Sequence, residues 1–111
     1  KKYISICDEL GLSALVEAHD KAEVSAALRA GARMIGVNNR NLKDFSMDTD
    51  NSRRLRAFIP RDVLFVSESG VKEPEDVAKI REIGADAVLI GETLMRSDDK
   101  KTKLSELRGM V

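Results

Sequence analysis

Four short apolar runs alternate with helix-patterned segments, and this rhythm constrains the fold more than any other feature. The runs are ALVEAH (14–19), RMIGVN (33–38), VLFVSE (63–68) and AVLIGE (87–92). They recur roughly 20–30 residues apart, a spacing that suits βα units feeding a parallel sheet. The segments between them carry helix punctuation. KKYISICDELG places Tyr3, Ile4, Cys7 and Leu10 at helical spacing and stops at Gly11, a C-cap residue. Asp20 and Glu23 form a capping-box-like pair ahead of Val24, Ala27 and Leu28, and Gly31 closes that helix. After a longer loop, NRNLKDFSMD, the segment TDNSRRLRAFI is expected to be helical with Leu55, Phe58 and Ile59 inward, stopped by Pro60. Pro74 suits a first helical position ahead of Val77, Ile80 and Ile83, with Gly84 at the end. KKTKLSELRGM is the last helix.

The expected order is therefore one helix followed by four βα units. AGARMIGV and IGADAVLIG share a grammar of helix-ending glycine, alanine, apolar strand and glycine, which hints at a repeating barrel. Four βα units are half of a (β/α)8 barrel, and a four-stranded parallel sheet has two open edges that invite pairing. The chain starts without Met and reads there as the middle of a helix, so the expectation is a single partial domain, 1–111, from the second half of such a barrel.

Composition removes several classes of function. The formal net charge is zero, and aromatic residues make up 4% with no Trp, which argues against a nucleic-acid surface. No apolar run approaches the ~20 residues of a membrane helix, and no signal peptide is visible. A single cysteine, Cys7, suits a reducing, cytoplasmic setting.

Parallel α/β folds bind ligands outside the carboxyl ends of their strands. Those ends carry Glu17 to His19, Asn38 to Arg40, Glu68 to Gly70, and Gly91 to Thr93. Strand alternation groups Glu17 with Leu15, Asn38 with Gly36 and Met34, and Glu68 with Val66 and Leu64. If all three polar residues point inward, two carboxylates and an amide line one mouth. Carboxyls in a half-buried pocket can hold raised pKa values and do acid–base work. Gly70 and Gly91 stand between strand and helix, where unhindered backbone N–H groups can hold a phosphate.

ALVEAHD, IGVNNRNL, VSESGV and ADAVLIGETLMR together resemble the second half of indole-3-glycerol-phosphate synthase, and the resemblance covers essentially the whole chain. It implies a (β/α)8 barrel that needs no cofactor or metal. It also implies a small phosphorylated substrate, 1-(2-carboxyphenylamino)-1-deoxyribulose 5-phosphate, closed to indole-3-glycerol phosphate with loss of CO2 and water. By that resemblance Glu17 and Glu68 match catalytic glutamates and Asn38 the asparagine beside the substrate. Arg40 matches an arginine that meets the substrate carboxylate, for which a guanidinium fork is well shaped. Ser69 matches a substrate-binding neighbour, and Gly70, Gly91 and Glu92 fall in phosphate-binding turns. Glu92 stands where some relatives have serine; its backbone N–H, not its carboxylate, suits a phosphate.

The family's essential lysines belong to strands absent from this sequence. No lysine occupies a strand end, Lys43 lying nearest, and the chain alone is expected to be inactive. Self-association, or pairing with an N-terminal half-barrel, is the expected way to close it. The alternatives are another phosphate-binding barrel, of the phosphoribosylanthranilate isomerase or tryptophan synthase α type, and a non-catalytic self-assembling half-barrel. Plainer roles fit the remaining polar residues. His19 leads into the Asp20 cap, Asn39 and Asn41 shape a loop, Glu73 and Glu75 are helix-start charges, and Met34, Met47, Met95 and Met110 are packing or surface residues.

Overall fold

The computed structural model describes residues 1–41, 43–48 and 50–109. Leu42 of the NNRNL run, Thr49 at the head of the expected third helix, and Met110 lie outside the described residues. The elements are α1 (Lys2–Leu10), β1 (Val16–Ala18), α2 (Lys21–Arg29), β2 (Met34–Asn38), α3 (Asn51–Arg56), β3 (Leu64–Glu68), α4 (Pro74–Ile83), β4 (Ala87–Leu89), α5 (Glu92–Arg96) and α6 (Lys100–Leu107). The four strands form one sheet in the order β1-β2-β3-β4, every pair parallel. Each strand lies beside its sequence neighbour, as consecutive units of a (β/α)8 barrel do; a doubly wound sheet would reverse direction partway across.

The helix punctuation acts as expected at most ends. Asp20 Oδ1 accepts the Glu23 N–H at 2.8 Å, while Glu23 reaches back to the His19 N–H at 2.5 Å. Pro74 is the first residue of α4, capped by a reciprocal pair between Glu73 and Asp76. Gly84 ends α4 at φ 94, a left-handed conformation that costs glycine nothing and other residues strain.

One face of the sheet is covered by helices. Ala18, Ile35, Val37 and Phe65 point to that side and pack with Val24 and Ala27 of α2 and Leu55 of α3. A smaller cluster, Val71, Ile80 and Leu107, joins α4 and α6 near the end of the sheet. The other face is only partly covered: Leu64 is 52% and Leu89 50% exposed, whereas Val66 and Glu68 are buried.

Three details depart from the sequence reading. Phe58 lies on the surface under Lys21, whose Nζ is 4.6 Å from the ring centroid; α3 ends at Arg56, so helical spacing no longer fixes where residue 58 points. Tyr3 and Leu10 are exposed, and α1 touches the main core through Ile4. The fourth strand stops at Leu89, and Glu92 opens an additional short helix, α5, with Gly91 as its N-cap.

Candidate active site

In a parallel ladder, paired residues share a face of the sheet. Glu17, Gly36, Val66 and Ala87 form one row across the four strands, and Asn38, Glu68 and Leu89 form the next row towards the carboxyl ends. The two carboxylates and the amide grouped by alternation therefore lie on one face, the face opposite the helices.

Glu68 is the least ordinary of them. It is 2% exposed, and neither carboxyl oxygen finds a hydrogen-bond partner among the described residues. Burial, and after it the neighbouring Glu17 carboxylate, pushes Glu68 up to about 7. A carboxyl in that range can hold a proton near neutral pH and give it up to a ligand. Glu17 is exposed on the first strand. Asn38 accepts the Arg40 N–H at 2.9 Å through its amide oxygen, and its carbonyl accepts Asn51 Nδ2 at 3.0 Å, so it also shapes the turn leaving β2.

Arg40 crosses to the fourth unit and pairs with Glu92 at 2.5 Å; Arg96 pairs with the other oxygen of Glu92 at 3.1 Å. These cations, Arg40 first, hold the Glu92 carboxyl below its ordinary range. Ser69 and Gly70 follow Glu68 with φ values of 69 and 82. Two successive left-handed residues make a sharp exit from the strand. At Ser69 that conformation costs roughly 1–2 kcal/mol, a strain typical of binding sites.

Asn39 holds this exit in place, a larger part than loop shaping. It is 2% exposed and points to the helix side. Its Nδ2 donates to Ser67 Oγ at 3.1 Å and to the Ser69 carbonyl at 3.2 Å, while its Oδ1 accepts from Ser52 N and Ser52 Oγ at 3.1 and 2.9 Å. Ser52 and Ser67 hydroxyls also meet at 2.7 Å. One amide thus ties β2, β3, α3 and the Ser69 turn together.

All eight residues singled out from the sequence, Glu17, Asn38, Arg40, Glu68, Ser69, Gly70, Gly91 and Glu92, line a single open cleft of about 1210 Å³. Lys72 and Lys103 line it too, from the loop after β3 and from α6, whereas Lys43 does not. The sequence reading passed over both because neither stands at a strand end. Among the described residues no cluster of three His, Cys, Asp or Glu side chains could hold a metal ion, and no helix is long and apolar enough to cross a membrane.

Comparison with known proteins adds a second line of observation. The model of the family described as indole-3-glycerol phosphate synthase matches residues 1–107. The chain is 60% identical over 109 residues to a protein of that name from Ruminiclostridium cellulolyticum, covering 98% of this chain and 42% of that one. It is 52% identical over 109 residues to another from Leuconostoc mesenteroides, with the same two shares. The chain spans about two fifths of the length of the curated relatives it matches. Among solved structures, a thiamine phosphate pyrophosphorylase from Pyrococcus furiosus superposes with a TM-score of 0.76 at 17% identity, over 96% of this chain and 53% of that one; this likeness concerns the fold alone.

Proposed function

The chain belongs to the indole-3-glycerol phosphate synthase family, and on that premise we propose that it supplies the strand-end carboxyls, the substrate-carboxylate site and the phosphate turns of that reaction. The observation that carries the reading is Glu68, a buried carboxyl that no donor among the described residues reaches, lining the same cleft as Glu17 and Arg40.

Ring closure joins the carboxylate-bearing carbon of the anthranilate ring to the ribulose carbonyl carbon. The carbonyl oxygen takes up a proton, CO2 leaves, and the new hydroxyl leaves as water while the adjacent carbon loses a proton. A protonated Glu68 is suited to assist departure of the hydroxyl. Glu17, on the neighbouring strand, is suited to take up the proton from carbon. Asn38 orients the substrate beside them. Arg40 exchanges Glu92 for the substrate carboxylate, with Ser69 beside it. Backbone N–H groups at Gly70, Gly91 and Glu92 receive the phosphate. No cofactor takes part in this scheme. A cytoplasmic setting agrees with the free thiol of Cys7.

The test is the fluorescence of indole-3-glycerol phosphate formed by the protein expressed from its intact gene. Glu68→Gln is expected to lower kcat by roughly 10²–10⁴-fold, the range for loss of a general acid–base group. Wild-type turnover in a Glu17→Gln/Glu68→Gln protein would refute the assignment. The 111-residue chain alone is expected to bind inorganic phosphate weakly and to form no product above that double variant. We also propose that the open face bearing Leu64 and Leu89 is covered, in the working protein, by another half-barrel. Light scattering showing the 111-residue chain as a stable folded monomer at micromolar concentration would overturn that.

A further inference from the structure

Gly36 stands in the middle of the first strand-end row, between Glu17 and Val66. Its φ lies outside the left-handed region, so the backbone there is open to any residue. Glycine within a strand weakens it and commonly marks a close approach of another group. The group that approaches is Glu68. A Cβ at Gly36 would stand 2.7 Å from Glu68 Cδ, and nearer still to Glu68 Oε1, while its next neighbour, Leu15 Cδ1, would be 3.2 Å away. The Glu68 side chain therefore lies back across β2, over the backbone of Gly36, towards the strand that carries Glu17. Among the described residues no donor reaches it there; the space over Gly36 admits it, and when protonated it can share its proton with Glu17.

We infer that Gly36 is a positioning residue: its missing side chain is the berth in which the Glu68 carboxyl rests beside Glu17, and any β-carbon would turn that carboxyl out of its place in the cleft. The inference rests on the catalytic reading of Glu68 given above. The titratable group on the adjoining strand is Glu17. Arg40, Lys72, Glu73, Asp76, Glu92, Arg96, Asp98 and Lys103 share the cleft, and a methyl group at position 36 adds no charge to it. A carboxyl moved out of the berth regains solvent and leaves Glu17, and both changes lower its titration midpoint.

The experiment is Gly36→Ala in the protein expressed from its intact gene, followed by side-chain carboxyl NMR with the Glu68 signal assigned by its loss in Glu68→Gln. The midpoint is expected to fall from about 7 towards the ordinary 4.5 of a free glutamate. The matching limb of the kcat pH profile should move with it, and turnover should drop by roughly 10²-fold. A folded Gly36→Ala protein with the midpoint and pH profile of wild type would overturn the inference. If Gly36→Ala fails to fold, the same substitution in a Glu68→Ala background decides the matter. Recovered folding locates the conflict at Glu68, whereas unfolding in both backgrounds places it elsewhere and overturns the inference. The titration needs no substrate, so it separates two failures. A midpoint that falls as expected, with turnover indifferent to Glu68→Gln, would refute the catalytic reading and leave the berth standing.

Discussion

Replacing Glu68 by glutamine should change how stability depends on pH, and by an amount that follows from the site. In the unfolded chain this carboxyl titrates near 4.5; in the folded chain burial and Glu17 hold it at about 7. Between those values the folded protein keeps a proton that the unfolded chain has released. Unfolding then releases a proton, so raising the pH favours unfolding. The contribution of Glu68 is fully present below about pH 4.5 and is lost as the pH rises through 7. At about 1.4 kcal/mol for each pH unit between the two midpoints, the loss is about 3 kcal/mol. Because Glu68 is almost fully enclosed, solvent screening reduces this little.

Glutamine keeps the shape and cannot ionise. Burial of its amide adds a penalty of up to roughly 1–3 kcal/mol that does not vary with pH, and a comparison of slopes removes it. Urea denaturation followed by circular dichroism, from about pH 4.5 to 8, gives each stability curve. The wild-type curve should descend relative to that of Glu68→Gln by about 3 kcal/mol across the window. Glu17→Gln should recover part of the descent, since the Glu17 charge is the second cause of the raised midpoint. Parallel wild-type and Glu68→Gln curves would refute the argument, because they would mean that Glu68 ionises in the folded protein as it does in water.

Three further outcomes follow from the residues that shape the turn. Asn39→Ala removes an amide that makes four contacts in a buried network and leaves the Ser52 and Ser67 hydroxyls, among the described residues, with each other alone; it should destabilise by about 2–4 kcal/mol in chemical denaturation. Ser69→Gly relieves a left-handed serine and should stabilise by up to about 1 kcal/mol, while Ser69→Val, which worsens the strain, should lower Tm.

The units of the fold were legible because each carries its own punctuation. Asp20 with Glu23, Pro74 and Gly84 are local signals, and the structure uses all three. Phe58 and the end of the fourth strand were misjudged because they depend on where a helix or strand stops, which tertiary packing decides. Strand alternation was enough to place Glu17, Asn38 and Glu68 on one face, since a parallel ladder preserves the pleat from strand to strand. Three features were not legible. Asn39 reads as a turn residue until Ser52 and Ser67 arrive from distant elements. Lys72 and Lys103 reach the cleft from a loop and a helix. Gly36 offered a faint signal as a glycine inside an apolar run, but its meaning depends on the path of a side chain 32 positions further along.

The Asn39 network lies on the side of the sheet away from the cleft, and that placement divides labour within single strands. Adjacent residues face opposite sides: Ser67 and Asn39 join the buried network, while Glu68 and Asn38 face the cleft. A lineage could therefore exchange cleft-facing residues such as Glu17 and Glu68 without disturbing the amide and hydroxyls of the Asn39 network. The sheet is in this sense a chassis whose cleft face can be rewritten, with Gly36 as the exception, because there a cleft-facing residue of one strand depends on the emptiness of the next.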